Sequence, residues 1–176
     1  MTQDEHDEWY GTVGFYESMG EEIGFREESL TGLIIAIWKL VNNLSITTSR
    51  GLNRKKSSSI DKFTIFRQGP MINSEYWAHC VNAASNYVRH ADDWNKKFSP
   101  LLKKGSGDWK ADLPESNSKR NLEILVNIGL DAERLISSND LSYQVAEKLG
   151  IITKSQFSST FKEWSEAVLE FTRNEL

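Results

Sequence analysis

The chain reads as an all-α protein, an up-and-down bundle of four to five main helices with two long loops, forming a single domain over residues 1–176. Three stretches carry that reading. From Ser74 to Phe98, apolar residues fall at Trp77, Cys80, Val81, Ala84, Tyr87, Val88, Ala91, Trp94 and Phe98, the three-and-four spacing of a helix with one buried stripe. From Lys154 to Asn174, the residues Phe157, Phe161, Trp164, Val168 and Phe171 form a near-heptad seam suited to packing against nearly antiparallel helices. From Glu28 to Ile46, the stripe Leu30, Leu33, Ile34, Ile37, Trp38, Val41 and Leu44 is broadened by Ile35 and Leu40. That helix is expected to be buried over much of its circumference.

Taken in order, Thr2 and Glu5 have the spacing of a capping box for a first helix, with Trp9, Val13 and Tyr16 as its apolar face. Gly20 and Gly24 are expected to break it before the helix from Glu28 begins. Ser45 to Asn73 is expected to be a mobile loop, because SRGLNRKKSSSIDKF is basic, serine-rich and poor in apolar spacing. Weak alternation over Lys62 to Phe66 allows a short extended piece. Ser74 is the expected N-cap of the central helix, and Pro100 its expected end. The second long loop, SPLLKKGSGDWKADLPESN, is punctuated by Gly105, Gly107 and Pro114, with Trp109 folded back onto the body. A helix from about Ser118 to Ile128 ends at Gly129, and another from Leu141 to Leu149 ends at Gly150.

The face of the central helix opposite its apolar stripe holds chemistry. His79, Asn82, Asn86, Arg89, His90 and Asp93 follow one another at spacings of three or four, so each reaches its neighbour. Imidazole titrates near neutral pH and passes protons. The competing reading of Asn86, Arg89 and His90 is a satisfied polar network between packed helices. His79 and His90 stand three turns apart, about 16 Å of rise, too far to share one metal ion. No metal site and no cofactor are expected: there is no glycine-rich phosphate loop before a helix, no HExxH and no Gly-x-Ser-x-Gly.

A net charge of −4 argues against broad, unspecific nucleic-acid binding but leaves room for a local basic groove. Arg54, Lys55, Lys56 and Arg67 are the candidate phosphate contacts, since lysine and arginine neutralise phosphates without reading sequence. Cys80 stands alone on an apolar stripe and reads as a small core residue. The acidic start, MTQDEHDEWY, has no apolar signal-peptide core. The run Leu33 to Val41, broken by Lys39, is about half the length of a membrane span, so a cytoplasmic protein without a membrane partner is expected.

The segment Ser85-Asn86-Tyr87-Val88-Arg89-His90 resembles the motif of HEPN domains, in which an arginine, a polar residue, three variable residues and a histidine lie on a core helix. Asn86 and His90 match, and Ser85 stands at the arginine position. The resemblance implies a small helical protein of a bacterial toxin–antitoxin or phage-defence system, pairing as a homodimer through this helix. With Ser85 in place of arginine, it implies an interaction module without catalysis and with a protein partner. The alternative it implies is a weak, metal-independent ribonuclease or RNA-binding protein. There His90 is the general acid/base, Asn86 orients it or the phosphate, and Arg89 and the basic loop around Arg54 to Lys56 hold the RNA backbone. A second stretch, LSYQVAEKLGIITKSQFSSTFKEW over 141–164, resembles an AraC-type helix-turn-helix through Val145, Ala146, Leu149, Gly150, Phe157, Phe161 and Lys162. It implies DNA binding as a further alternative.

Overall fold

The structure is a computed structural model that describes residues 3–56, 59–137 and 141–176, with side chains from residue 28 onward except that of residue 56. It is all-α. Among the described residues there are eight helices and one two-stranded sheet. Four helices exceed ten residues, and they match the bundle expected from the sequence in number.

Helix α1 runs unbroken over Gln3–Lys56. Gly20 and Gly24 do not interrupt it, and the basic stretch expected as a loop forms its last turns. The inward face changes character along its length. Ile34, Ile37 and Val41 are buried, then Ser45 and Ser49, then Leu52. Ser45 Oγ donates to the Val41 carbonyl at 2.8 Å and Ser49 Oγ to that of Ile46 at 3.1 Å, so the buried hydroxyls are satisfied within the helix. Two serines on the inward face are what disguise this part of the helix as a loop.

The chain then returns. Asn53 holds both the N–H and the carbonyl of Ile60 at 2.8 Å. Asp61 caps α2 (Lys62–Phe66) by accepting from Thr64 N–H at 2.8 Å. This segment is a helix with Ile65 and Phe66 buried, and the extended piece expected there does not form. A short hairpin follows, β1 (Met71–Ile72) against β2 (Glu75–Tyr76), with Met71 opposite Tyr76. Asn73, at its turn, adopts the left-handed region with φ 53°. Ser74 therefore sits in the hairpin turn, and the N-cap of the central helix is Tyr76, two residues later than expected.

Helix α3 (Trp77–Leu102) is the centre of the fold, and α1, α5 and α6 pack against it. Trp77 is fully buried and Trp94 nearly so. Pro100 lies inside its last turn instead of ending it. At His90 the backbone leaves helical values, with φ −134° and ψ 17°, and the helix kinks. No proline or glycine lies within a turn of His90, so the kink has none of the usual sequence causes.

The second loop is short and organised. The Asp112 carboxylate accepts from Ser106 N–H at 2.9 Å, and Asp108 caps the single turn α4 (Trp109–Asp112). Trp109 packs against the core, as expected. Helix α5 (Asn117–Asn127) is capped by Ser116 and stopped by Gly129 at φ 95°. Helix α6 (Ala132–Ser137) was not expected. Asp131 marks its start by accepting from Arg134 N–H at 2.8 Å.

Helix α7 (Ser142–Lys148) turns through Gly150, at φ 66°, into α8 (Lys154–Asn174). Thr153 and Gln156 close a capping box at the start of α8. Trp164 is buried and its ring lies 6.2 Å from that of Trp77, whose indole N–H bonds the Leu149 carbonyl at 3.0 Å. The seam is thus real but thin, since Phe157, Phe161 and Phe171 are only partly buried. Gly69 permits the close approach. Its φ is +84°, and a side-chain carbon there would stand 2.9 Å from the Trp164 Cα.

Candidate functional site

A cleft of about 660 Å³ opens between α2, α3 and α5. One wall is the polar row of the central helix: His79, Asn82, Asn86 and His90, one per turn, with Trp94 at the end. The opposite wall is the first two turns of α5, which contribute Asn117, Ser118, Arg120, Asn121 and Ile124. Phe63 and Arg67 close the side at α2. Among the described residues that line it there is no carboxylate.

His79 sits deepest. Its ring meets those of Phe66 at 5.8 Å, Tyr76 at 6.2 Å and Phe63 at 6.3 Å. Burial lowers its pKa from the usual 6.5, and the nearby Arg67 charge lowers it further. The imidazole is therefore held neutral at physiological pH. Its Nε2 is sealed from solvent with no partner among the described residues.

Asn82 and Asn86 are oriented by donors behind them. The Trp38 indole N–H donates to Asn82 Oδ1 at 3.1 Å, and an Arg89 Nη–H donates to Asn86 Oδ1 at 2.9 Å. Both donors are unambiguous, so both amide orientations are fixed. With the carbonyl oxygens engaged on that side, the NH₂ groups are what the two amides offer the cleft.

Arg89 itself does not line the cleft. Its guanidinium stacks over Trp38 of α1 at 4.4 Å, and its Nε–H donates to the Ser85 carbonyl at 2.9 Å. It joins two helices and orients Asn86 from behind. The two readings of the polar row divide accordingly: Arg89 and the Asn82 and Asn86 carbonyls form a satisfied network, while His90 and the amide NH₂ groups face an open cleft. His90 is half-exposed, with Nδ1 3.4 Å from the exposed Asp93 carboxylate.

Ser85 points the other way. It is fully buried, and its Oγ has no partner among the described residues. The basic set also divides. Arg67 lines the cleft. Arg54 and Lys55 are exposed on the last turn of α1, and Lys55 borders a separate apolar groove with Leu52, Val168 and Leu169. The side chain of Lys56 lies outside the described residues. Asn117, Arg120 and Asn121 escaped sequence reasoning, although the polar run Asn117-Ser118-Lys119-Arg120-Asn121 before Leu122 was a signal that this helix starts solvated on more than one side. On α8, the exposed face carries Glu163, Glu166 and Glu170 beside Lys162, which lies 3.9 Å from Glu166.

The fold and the cleft together define an all-α protein built on a kinked central helix, with a donor-lined cavity beside the kink. No family model, curated protein or solved structure matches the chain.

Proposed function

We propose that the chain is a non-catalytic helical interaction module that takes a segment of single-stranded RNA into the α2–α3–α5 cleft, in the toxin–antitoxin or phage-defence setting that the HEPN resemblance implies. The observation that carries this is the lining. Two guanidiniums, the His90 imidazole and the NH₂ groups of Asn82 and Asn86 converge without a carboxylate, in a protein whose net charge is −4. Donors of this kind suit phosphate and base acceptors. Phe63 supports the single-stranded form of the ligand. It stands 43% exposed at the rim, where an aromatic face stacks an unpaired base. The cavity is in the size range of sites for small molecules and single nucleotides.

A second reading has one specific observation behind it. His90 is open to the cleft with Asp93 beside it, the arrangement of an oriented general base. A ribonuclease without metal also needs a cation on the phosphate, and Arg120 and Arg67 line the same cleft.

Labelled single-stranded RNA distinguishes the readings. The wild type should bind it and leave it intact in EDTA. Phe63→Ala should weaken binding by about 1–3 kcal/mol, one stacked base. Cleavage by the wild type that disappears in His90→Ala would replace the module with the ribonuclease. No binding at all by folded wild type would remove both.

A further inference from the structure

The side of α1 that faces away from the core is apolar where it should be charged. Leu33 is 37% exposed, Leu40 41% and Leu44 40%. Ala36, Asn43 and Thr47 are exposed beside them. Leu33, Ala36, Leu40, Asn43 and Thr47 alternate steps of three and four, which is the seam of a two-helix coiled coil. Between Gly32 and Thr47 the only charge is Lys39. The opposite side of the same turns holds Ile34, Ile37 and Val41 in the core, so the seam is additional to the packing of the single chain. The tryptophans of α3 are not free to supply a dimer contact, because Trp77 and Trp94 are interior residues of the chain itself.

The charge of α1 says what covers the seam. Between Asp4 and Glu28 there are nine carboxylates against the single Arg26. From residue 29 to Lys56 there are five bases, Lys39, Arg50, Arg54, Lys55 and Lys56, and no carboxylate. One helix thus has an acidic first half and a basic second half. Two copies laid antiparallel bring unlike halves together, whereas two parallel copies bring like halves together. We infer that a second copy of this chain docks along α1 in antiparallel orientation, its dyad between Ala36 and Leu40.

The register follows from position along the helix. Centring the pair between Ala36 and Leu40 places Leu33 of each copy level with Asn43 and Leu44 of the other. It also places Arg54 and Lys55 level with Glu22 and Glu21, while Arg50 falls level with Arg26. The apolar contact lies at the middle and the complementary charges at the two ends. A membrane is the other surface such a helix can meet, since one 18-residue window within Glu28–Lys55 has a mean hydropathy of 1.4. The charge division has no counterpart in a bilayer, and the core already occupies the other side of the helix.

Sedimentation of the full chain at about tens of micromolar should give a dimer that weakens as salt screens the helix ends. Leu40→Glu places like charges at the dyad and should give a monomer with unchanged circular dichroism. Orientation is read by cysteine pairing under mild oxidation, which requires Cα atoms within about 7 Å. The buried Cys80 does not compete. A mixture of Leu33→Cys and Leu44→Cys should form the mixed disulfide, while Leu33→Cys alone should not cross-link. A monomeric wild type overturns the inference, whether or not it floats with lipid vesicles. So does a Leu33→Cys variant that cross-links to itself, because that is the parallel pairing, or a Leu40→Glu variant that stays dimeric.

Discussion

Ser85→Arg restores the arginine that the HEPN motif has at this position, and it should unfold the protein instead of activating it. Ser85 is 0% exposed, and its neighbours Ala83 and Ala84 are equally buried. The arginine adds several heavy atoms to a packed interface, which costs about 1–3 kcal/mol. Its guanidinium would also be buried without an acidic partner. Leaving a buried charge uncompensated costs about 3–5 kcal/mol. The total, about 4–8 kcal/mol, is comparable with the whole stability of an ordinary domain, about 5–15 kcal/mol. Ser85→Ala is the control. The Oγ has no partner among the described residues, so removing it should be neutral or slightly stabilising. Urea denaturation followed by far-UV circular dichroism measures both. A folded Ser85→Arg protein with a midpoint near wild type would refute the reasoning, because it would mean that position 85 reaches solvent and the helix face is misassigned. Gain of RNA cleavage in the same protein would place position 85 in the cleft.

Three further outcomes follow from the packing and the charges. Trp164→Ala should cost about 3–5 kcal/mol, since the indole fills the contact with Trp77; a loss below about 1 kcal/mol by denaturant titration would mean that α8 is not anchored there. The lowered pKa of His79 makes the unfolded chain the better proton acceptor below pH 6.5, so stability should be level above that value and fall as pH drops through the folded pKa. A His79→Gln variant should lose that slope, and an unchanged pH profile would show that His79 is not the cause. Burial pushes the Cys80 thiol up to about 12, so a thiol reagent at neutral pH should label it only at the rate of unfolding; labelling in seconds under native conditions would contradict its position in the core.

The parts of the fold that were legible in the sequence are those where an apolar period and its caps agree. Helix α8 shows this best, with Phe157, Phe161, Trp164, Val168 and Phe171 in one near-heptad row. Gly129 and Gly150 ended their helices as read, both with positive φ. The errors came where tertiary contacts override local signals. Ser45 and Ser49 face inward on α1 and bond back to the helix, so a buried face looked like a polar loop. Ser74 has the identity of an N-cap, but the left-handed Asn73 beside it makes a hairpin turn instead, and Asn73 and Glu75 are each tied to Asn127 of α5. The candidate site was half legible. The row from His79 to His90 is visible in one helix because its spacing is local. The other wall comes from α5, which starts 27 residues after His90, and no local pattern links Arg120 to His90. The stacking of Arg89 on Trp38 was equally illegible, because Trp38 belongs to another helix.

The proposed RNA binding requires phosphates to be held by Arg67 and Arg120, which line the cleft. The slope of log affinity against log salt concentration tests it most directly, measured by anisotropy with a short labelled single-stranded RNA. For single strands each neutralised phosphate contributes about −0.7 to that slope. The double variant Arg67→Ala, Arg120→Ala should bind more weakly, with a slope shallower by about 1.4. The double variant Arg54→Ala, Lys55→Ala should keep the wild-type slope, because those residues lie at the end of α1 outside the cleft. The reverse pattern, with the cleft variant unchanged and the α1 variant shallower, would contradict the account and move the RNA off the cleft.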